Sequence, residues 1–204
     1  MMSINKISEY SFKERGSKFY GFLFPSSSIK EFEEGILFFK KKYPEATHYC
    51  TAYRHVAEQI IEFSSDDGEP SGSAGLPILN ILKSTNLVNC GAVVIRYYGG
   101  TKLGKPGLIE SYSKAIKNCV NCAELLPIYK MAKIEISYQY HQEKEIQLLI
   151  RNFELIEKQS EFLESISKLF YCPMDNEDSL IQKLQSLTYM GITFNRIGYT
   201  LMIH

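Results

Sequence analysis

Two stretches of this chain are dense enough in reactive side chains to do chemistry. The first, S-D-D-G-E-P-S-G-S-A-G-L-P, sets Asp66, Asp67 and Glu69 beside Ser71, three glycines and two prolines. Oxygen ligands at that density could hold a divalent cation or act as acid and base, with His48 as a neighbour. The same carboxylates could instead accept backbone N–H bonds and stiffen the loop, as aspartate does in turns. The second stretch runs from Val93 to Gly107, V-V-I-R-Y-Y-G-G-T-K-L-G-K-P-G, with four glycines in its last nine residues. Glycine lets backbone N–H groups come close to a partner, and Lys102 and Lys105 add positive charge. That combination seeks anions.

Gly99 to Lys105 matches most of the phosphate-binding pattern G-x-x-x-x-G-K-[S/T], between a strand and a helix as that motif requires. The eighth position is Pro106, which offers neither the hydroxyl that would hold Mg²⁺ nor an N–H. Nucleotide hydrolysis therefore loses its metal ligand, whereas phosphate binding survives. Arg96, Tyr98, Gly99, Gly100, Lys102, Gly104 and Lys105 are the expected contacts. Strand alternation assigns Tyr97 to one sheet face with Val93 and Ile95, and Arg96 with Tyr98 to the other, where a guanidinium and a ring could meet a base or ribose. The acidic loop could also fold onto Lys102 or Arg96 and neutralise part of the basic one.

The elements that must position these loops follow from periodicity. Two strands around Arg15-Gly16-Ser17 fill residues 7 to 24, and Ser28 with Glu31 marks the start of a helix that stops at Tyr43-Pro44. Lys40, Lys41 and Lys42 sit where cations suit a helix end. Two more strands span Ala46 to Ser65, with a turn near Ala57-Glu58. A short helix from Pro77 to Lys83, a strand from Ala92 to Tyr98 and a helix from Gly107 to Glu124 complete the first half. Cys119-x-x-Cys122 lies on that last helix without a second ligand pair, which favours core packing over zinc. His55, His141 and His204 form no cluster. After Pro127 the order is strand 131–138, helix 142–152, strands 153–159 and 164–172, helix 179–187 and strand 192–202. This is the β-α-β-β-α-β arrangement of ferredoxin-like domains. Two α+β domains, 1–127 and 128–204, are expected.

A chain of 204 residues with 45% apolar composition can build two such cores. Residues 1–127 hold 15 basic and 13 acidic side chains, and the remainder holds 8 and 10. Neither half is a polycation, so any contact with nucleic acid must come from a local patch and be salt-sensitive. Five cysteines without framework spacing suggest reduced thiols. The absence of a long apolar run or a signal-like start makes the cytoplasm the expected location, with no membrane partner.

The runs D-D-G-E-P-S-G-S-A-G-L-P-I-L and R-Y-Y-G-G-T-K-L-G resemble the two signature motifs of the Impact family, in its bacterial branch. Upstream, G-S-K-F-Y-G-F and Y-P-E-A-T-H-Y-C-T-A-Y-R fit the same pattern, so the resemblance covers nearly all of residues 7 to 124. It implies a first domain folded like domain IV of elongation factor G and the second domain of ribosomal small-subunit protein five. It implies a ferredoxin-like second domain like that factor's domain V. It also implies a role around translation. Eukaryotic relatives restrain the amino-acid-starvation kinase by competing for its activator, and the bacterial branch is suggested to bind nucleic acid or the ribosome; no established catalytic activity or cofactor comes with the family. This chain departs from the family pattern with G-K-P-G-L where G-T-G-G-L is common, with Lys18 in place of arginine, and with Ile109-Glu110-Ser111 in place of a more basic helix start.

Three functions are consistent with these residues. One is a binding protein that contacts RNA, the ribosome or a ribosome-associated protein through the basic loop. Another is a metal-assisted hydrolase of a phosphorylated small molecule, with residues 66–69 as ligands. The last is a protein-interaction module that works without nucleic acid.

Overall fold

The computed structural model describes residues 1–57 and 59–203. Glu58, half of the expected turn at Ala57-Glu58, and His204 lie outside the described residues. The chain divides into two compact units, Met1–Pro127 and Ile128–His204.

The first unit is built on a five-stranded antiparallel sheet of β2 (Ser8–Glu14), β3 (Ser17–Pro25), β4 (His48–Val56), β5 (Ile60–Ser65) and β6 (Cys90–Tyr97), in the spatial order β2-β3-β6-β4-β5. A two-residue strand that the sequence did not announce, β1 (Met2–Ser3), pairs with Pro127 and Leu126. Helix α1 (Ile29–Lys42) covers one face of the sheet, where Phe32 and Phe39 pack with Phe22, Phe24, Tyr53, Val93 and Ile95. Helices α2 (Gly75–Ser84) and α3 (Gly104–Cys122) cover the other, where Ile78, Leu82, Tyr112, Ala115 and Cys119 pack on Phe19, Cys50, Ala92 and Val94. Because β6 is central and has helices on both sides, six of its first seven residues, Cys90 to Ile95, are apolar and need no polar face. Its one charged residue, Arg96, is buried with the rest.

The helix ends follow local chemistry in part. Ser28 caps α1 as expected, its hydroxyl accepting the Glu31 N–H at 3.2 Å. The reciprocal arm lands one residue early, because the Glu31 carboxylate accepts from the N–H of Ser27 at 2.7 Å. Helix α2 starts two residues before the expected Pro77, and α3 starts at Gly104, three residues before Gly107. Pro106 is tolerated in the first turn of α3, where its missing N–H would have had no partner inside the helix. Cys119 packs in the core while Cys122 is exposed, and burial pushes the Cys119 thiol up to about 12.

In the second unit the elements run β7 (Leu126–Tyr138), α4 (Glu143–Asn152), β8 (Ile156–Phe162), β9 (Ile166–Pro173), α5 (Met174–Gln185) and β10 (Thr193–Ile203). The sheet is antiparallel in the order β10-β7-β9-β8. Ile146, Leu149, Leu180 and Leu184 of the two helices share one core with Ile134, Ile136, Ile166 and Phe170 of the strands. Among the described residues, no helix is long and apolar enough to cross a membrane.

Candidate functional site

Every carboxylate of the acidic loop is already engaged. Asp66 accepts the backbone N–H groups of Gly72, Ala74 and Gly75 at 2.8, 2.9 and 2.8 Å. Helix α2 begins on Ala74, which has no side chain to cap it, so Asp66 supplies the cap from eight residues away. Gly75 is required here, since a Cβ would lie 2.6 Å from the backbone of Ser65. The Asp66 carboxyl is held below the usual carboxylate range: burial pushes it up, and the three N–H bonds with the Lys105 ammonium outweigh that. Asp67 accepts the Tyr49 N–H at 2.6 Å, and its carbonyl is 2.8 Å from His48 Nδ1. A carbonyl can only accept, so Nδ1 carries a proton.

Glu69 is the link between the two loops. Its Oε1 accepts from Arg96 at 2.5 Å and from the Tyr112 hydroxyl at 2.7 Å, and lies 3.9 Å from His48 Nε2. Burial, then the neighbouring Cys50 and Glu69, push the Tyr112 hydroxyl well above its ordinary value, so it remains a donor. Arg96 also donates to Ser17 Oγ at 3.2 Å, its guanidinium lies 5.4 Å from the ring centroids of both Phe19 and Tyr98, and its Nε is buried with no acceptor.

These placements correct parts of the expected site. Arg96 is only 4% exposed and its charge is matched by Glu69, so it forms the floor of the site and is poorly placed to reach a partner. Gly99 donates its N–H to Ser17 Oγ at 3.2 Å, and a Cβ there would sit 1.9 Å from the Gly16 backbone. A close crossing of two loops explains that glycine, and its amide is unavailable to a phosphate. Gly100 and Gly104 have φ of +85° and +71°, a region that favours glycine. As a cation site the acidic loop is poorly built, since both Asp66 oxygens accept backbone N–H groups, Asp67 accepts one through Oδ2, and Glu69 Oε1 is held by Arg96 and Tyr112. Ser71 is exposed, and among the described residues no three His, Cys, Asp or Glu side chains are grouped to hold a metal.

What remains reactive faces a cleft of about 470 Å³ lined by His48, Glu69, Arg96, Tyr98, Lys102 and Lys105, together with Pro70, Leu103, Gly104 and Leu108. Lys102 and Lys105 are exposed, and among the described residues neither makes a hydrogen bond or ion pair. Helix α3 opens into this cleft without a side-chain cap or an acidic residue in its first turn. Its first amides, those of Gly104 and Lys105, have no acceptor within the helix. Tyr98 is held at the rim by its backbone N–H, which donates to Thr47 Oγ1 at 2.9 Å. Ser17, Thr47 and Tyr112 were missed by sequence reasoning. The only local signal for Ser17 was its place in the turn after Gly16.

Comparison with known proteins agrees with these motifs. The model of the Impact N-terminal domain matches residues 15–120. The chain is 31% identical over 186 residues to the IMPACT family member YvyE of Bacillus subtilis (strain 168), covering 91% of this chain and 86% of that one. It is 32% identical over 126 residues to the IMPACT family member YigZ of Escherichia coli (strain K12), covering 60% of each. A crystal structure described as a hypothetical protein has the same overall fold, with a TM-score of 0.70, 22% identity and 96% of each chain covered. A domain match over half of the chain and an identity above 30% across most of both chains place it in one family: it is a member of the Impact family.

Proposed function

We propose that this protein is a cytoplasmic, non-enzymatic regulator of translation that binds RNA phosphates, on the ribosome or on a free strand, in the cleft between Lys102 and Lys105. One observation carries the reading: two exposed, unpaired lysines stand at the uncapped start of α3, while the buried arginine beneath them is neutralised by Glu69. Backbone amides and the positive end of a helix dipole then add to two ammonium groups that make no ion pair or hydrogen bond among the described residues. Gly100 and Gly104 supply the turns that bring the backbone to the cleft rim. On the same reading the first unit has the fold of elongation factor G domain IV and the second is ferredoxin-like, which the β-α-β-β-α-β order supports.

The test is co-sedimentation with ribosomes, and binding of a short single-stranded RNA, across a salt series. Replacing Lys102 and Lys105 together by alanine weakens both, and the log–log salt slope becomes shallower by about 0.7, the contribution of one phosphate that is no longer neutralised. Unchanged affinity and slope overturn the proposal.

A further inference from the structure

A second cleft, of about 310 Å³, adjoins the first and is lined by Gly16, Lys18, Tyr20, Tyr43, Tyr97 and Tyr98. Tyr98 lines both clefts. Four tyrosines around one depression are more than packing on α1 requires, because Tyr98 is 46% exposed and the Tyr97 hydroxyl reaches outward to the Pro44 carbonyl at 2.9 Å. The rings are braced against one another: Tyr20 lies edge-on to Tyr97 at 6.0 Å and tilted against Tyr43 at 5.1 Å. Tyr98 is braced from below by Arg96, itself pinned by Glu69. A rigid, partly exposed ring beside a cation is the arrangement that stacks an aromatic ligand.

Charge gives the ligand a direction. Around the tyrosine cleft cations and carboxylates are mixed, with Lys18 in the lining and Lys42 at 5.5 Å from the Tyr43 ring, against Glu45 acting on Tyr97 and Glu9 acting on Tyr43. The neighbouring cleft has Lys102, Lys105 and the start of α3. A phosphate is drawn to the lysine side, and an uncharged ring is left for the tyrosine side. Its volume is at the small end of ligand clefts, suited to one ring system and far too narrow for a duplex.

Resting on the phosphate reading above, we infer that the two clefts together bind one unpaired nucleotide of single-stranded RNA, with the phosphate between Lys102 and Lys105 and the base stacked at Tyr98 over the tyrosine cleft. Paired bases have their faces covered by neighbours, so the site selects loops, bulges and ends.

Fluorescence anisotropy of the full chain with three labelled probes tests this: a short oligouridylate, an abasic strand of the same length, and a blunt RNA duplex. The wild type prefers oligouridylate to the other two by about tenfold. Tyr98→Ala abolishes that preference, binding oligouridylate no better than the abasic strand, and Tyr98→Trp restores it; Tyr98 is exposed, and circular dichroism melting confirms that both variants fold. If the wild type binds abasic strand and oligouridylate equally, or if Tyr98→Ala retains the preference, the base site is refuted. In that case a loss of all binding in the Lys102→Ala, Lys105→Ala variant leaves the phosphate reading standing. If no probe binds and ribosome association survives nuclease, both readings fall in favour of a protein partner.

Discussion

The acidic loop and the basic loop look equally reactive in the sequence, yet the fold uses them in opposite ways. In the first, Asp66 and Asp67 accept backbone N–H groups and the buried Glu69 accepts from Arg96 and Tyr112, so each carboxylate already has a donor in the fold. In the second, Lys102 and Lys105 face solvent over a helix start that nothing caps. One loop is scaffold and the other is surface. The difference shows that charge density alone does not mark a site; what matters is whether the fold has already supplied a counter-group. A carboxylate beside glycines finds amide donors within its own loop. Lys102 and Lys105 find no hydrogen-bond or ion-pair partner among the described residues.

The comparison breaks first if the scaffold side is wrong, and the largest effect belongs to Glu69. Glu69→Ala leaves Arg96 buried and unmatched beside the orphaned Tyr112 hydroxyl, and is expected to cost about 3–5 kcal/mol in urea unfolding. Replacing both partners, as Glu69→Leu with Arg96→Met, recovers most of that loss, because a buried ion pair contributes little net stability over apolar residues of similar size. A cost under about 1 kcal/mol for Glu69→Ala would mean that the pair is not holding the loops together.

Asp66 comes next. Asp66→Ala removes the acceptor for three amides at the start of α2 and is expected to destabilise by about 2 kcal/mol. The pH dependence follows from the sign of its shift. Its folded value is depressed, so its contribution is complete above the unfolded value near 3.9 and is lost as pH falls through the lower folded value. The gap in melting stability between wild type and Asp66→Ala should therefore stay constant from neutral pH to about 5 and close below about 4. A gap that widens on acidification would contradict the capping role.

Much of the fold was legible because its signals are local. The apolar run Cys90 to Ile95 of β6, the Ser28 cap and the alternation that separates Tyr97 from Arg96 all lie within a few residues of what they determine. The start of α3 was placed late because Gly104, Lys105 and Pro106 lack the propensity and the capping residue that announce a helix. The engaged state of the acidic loop was legible only as an alternative. Asp66 finds its donors within nine residues, but the partners of Glu69 are far away in sequence, Arg96 by 27 residues and Tyr112 by 43, and in the basic loop Gly99 meets Ser17 across 82. Periodicity carries no information at that range. Only the chain crossing, with Gly99 against Gly16, brings the β2–β3 turn under the basic loop.

The smallest effect sharpens the comparison most. Lys102→Ala with Lys105→Ala should change stability by no more than about 0.5 kcal/mol, since both side chains are exposed and unpaired. Lys105 does help hold the Asp66 carboxyl down, though it ranks behind the three amide bonds. Any loss is therefore expected in Lys105→Ala alone, and it should vanish when Asp66 is already alanine. A double-mutant cycle on Asp66 and Lys105, read by urea unfolding, separates the two cases. A coupling near zero keeps the lysines as pure surface. A coupling near the full Asp66→Ala cost would make Lys105 part of the scaffold and leave Lys102 as the cation on offer.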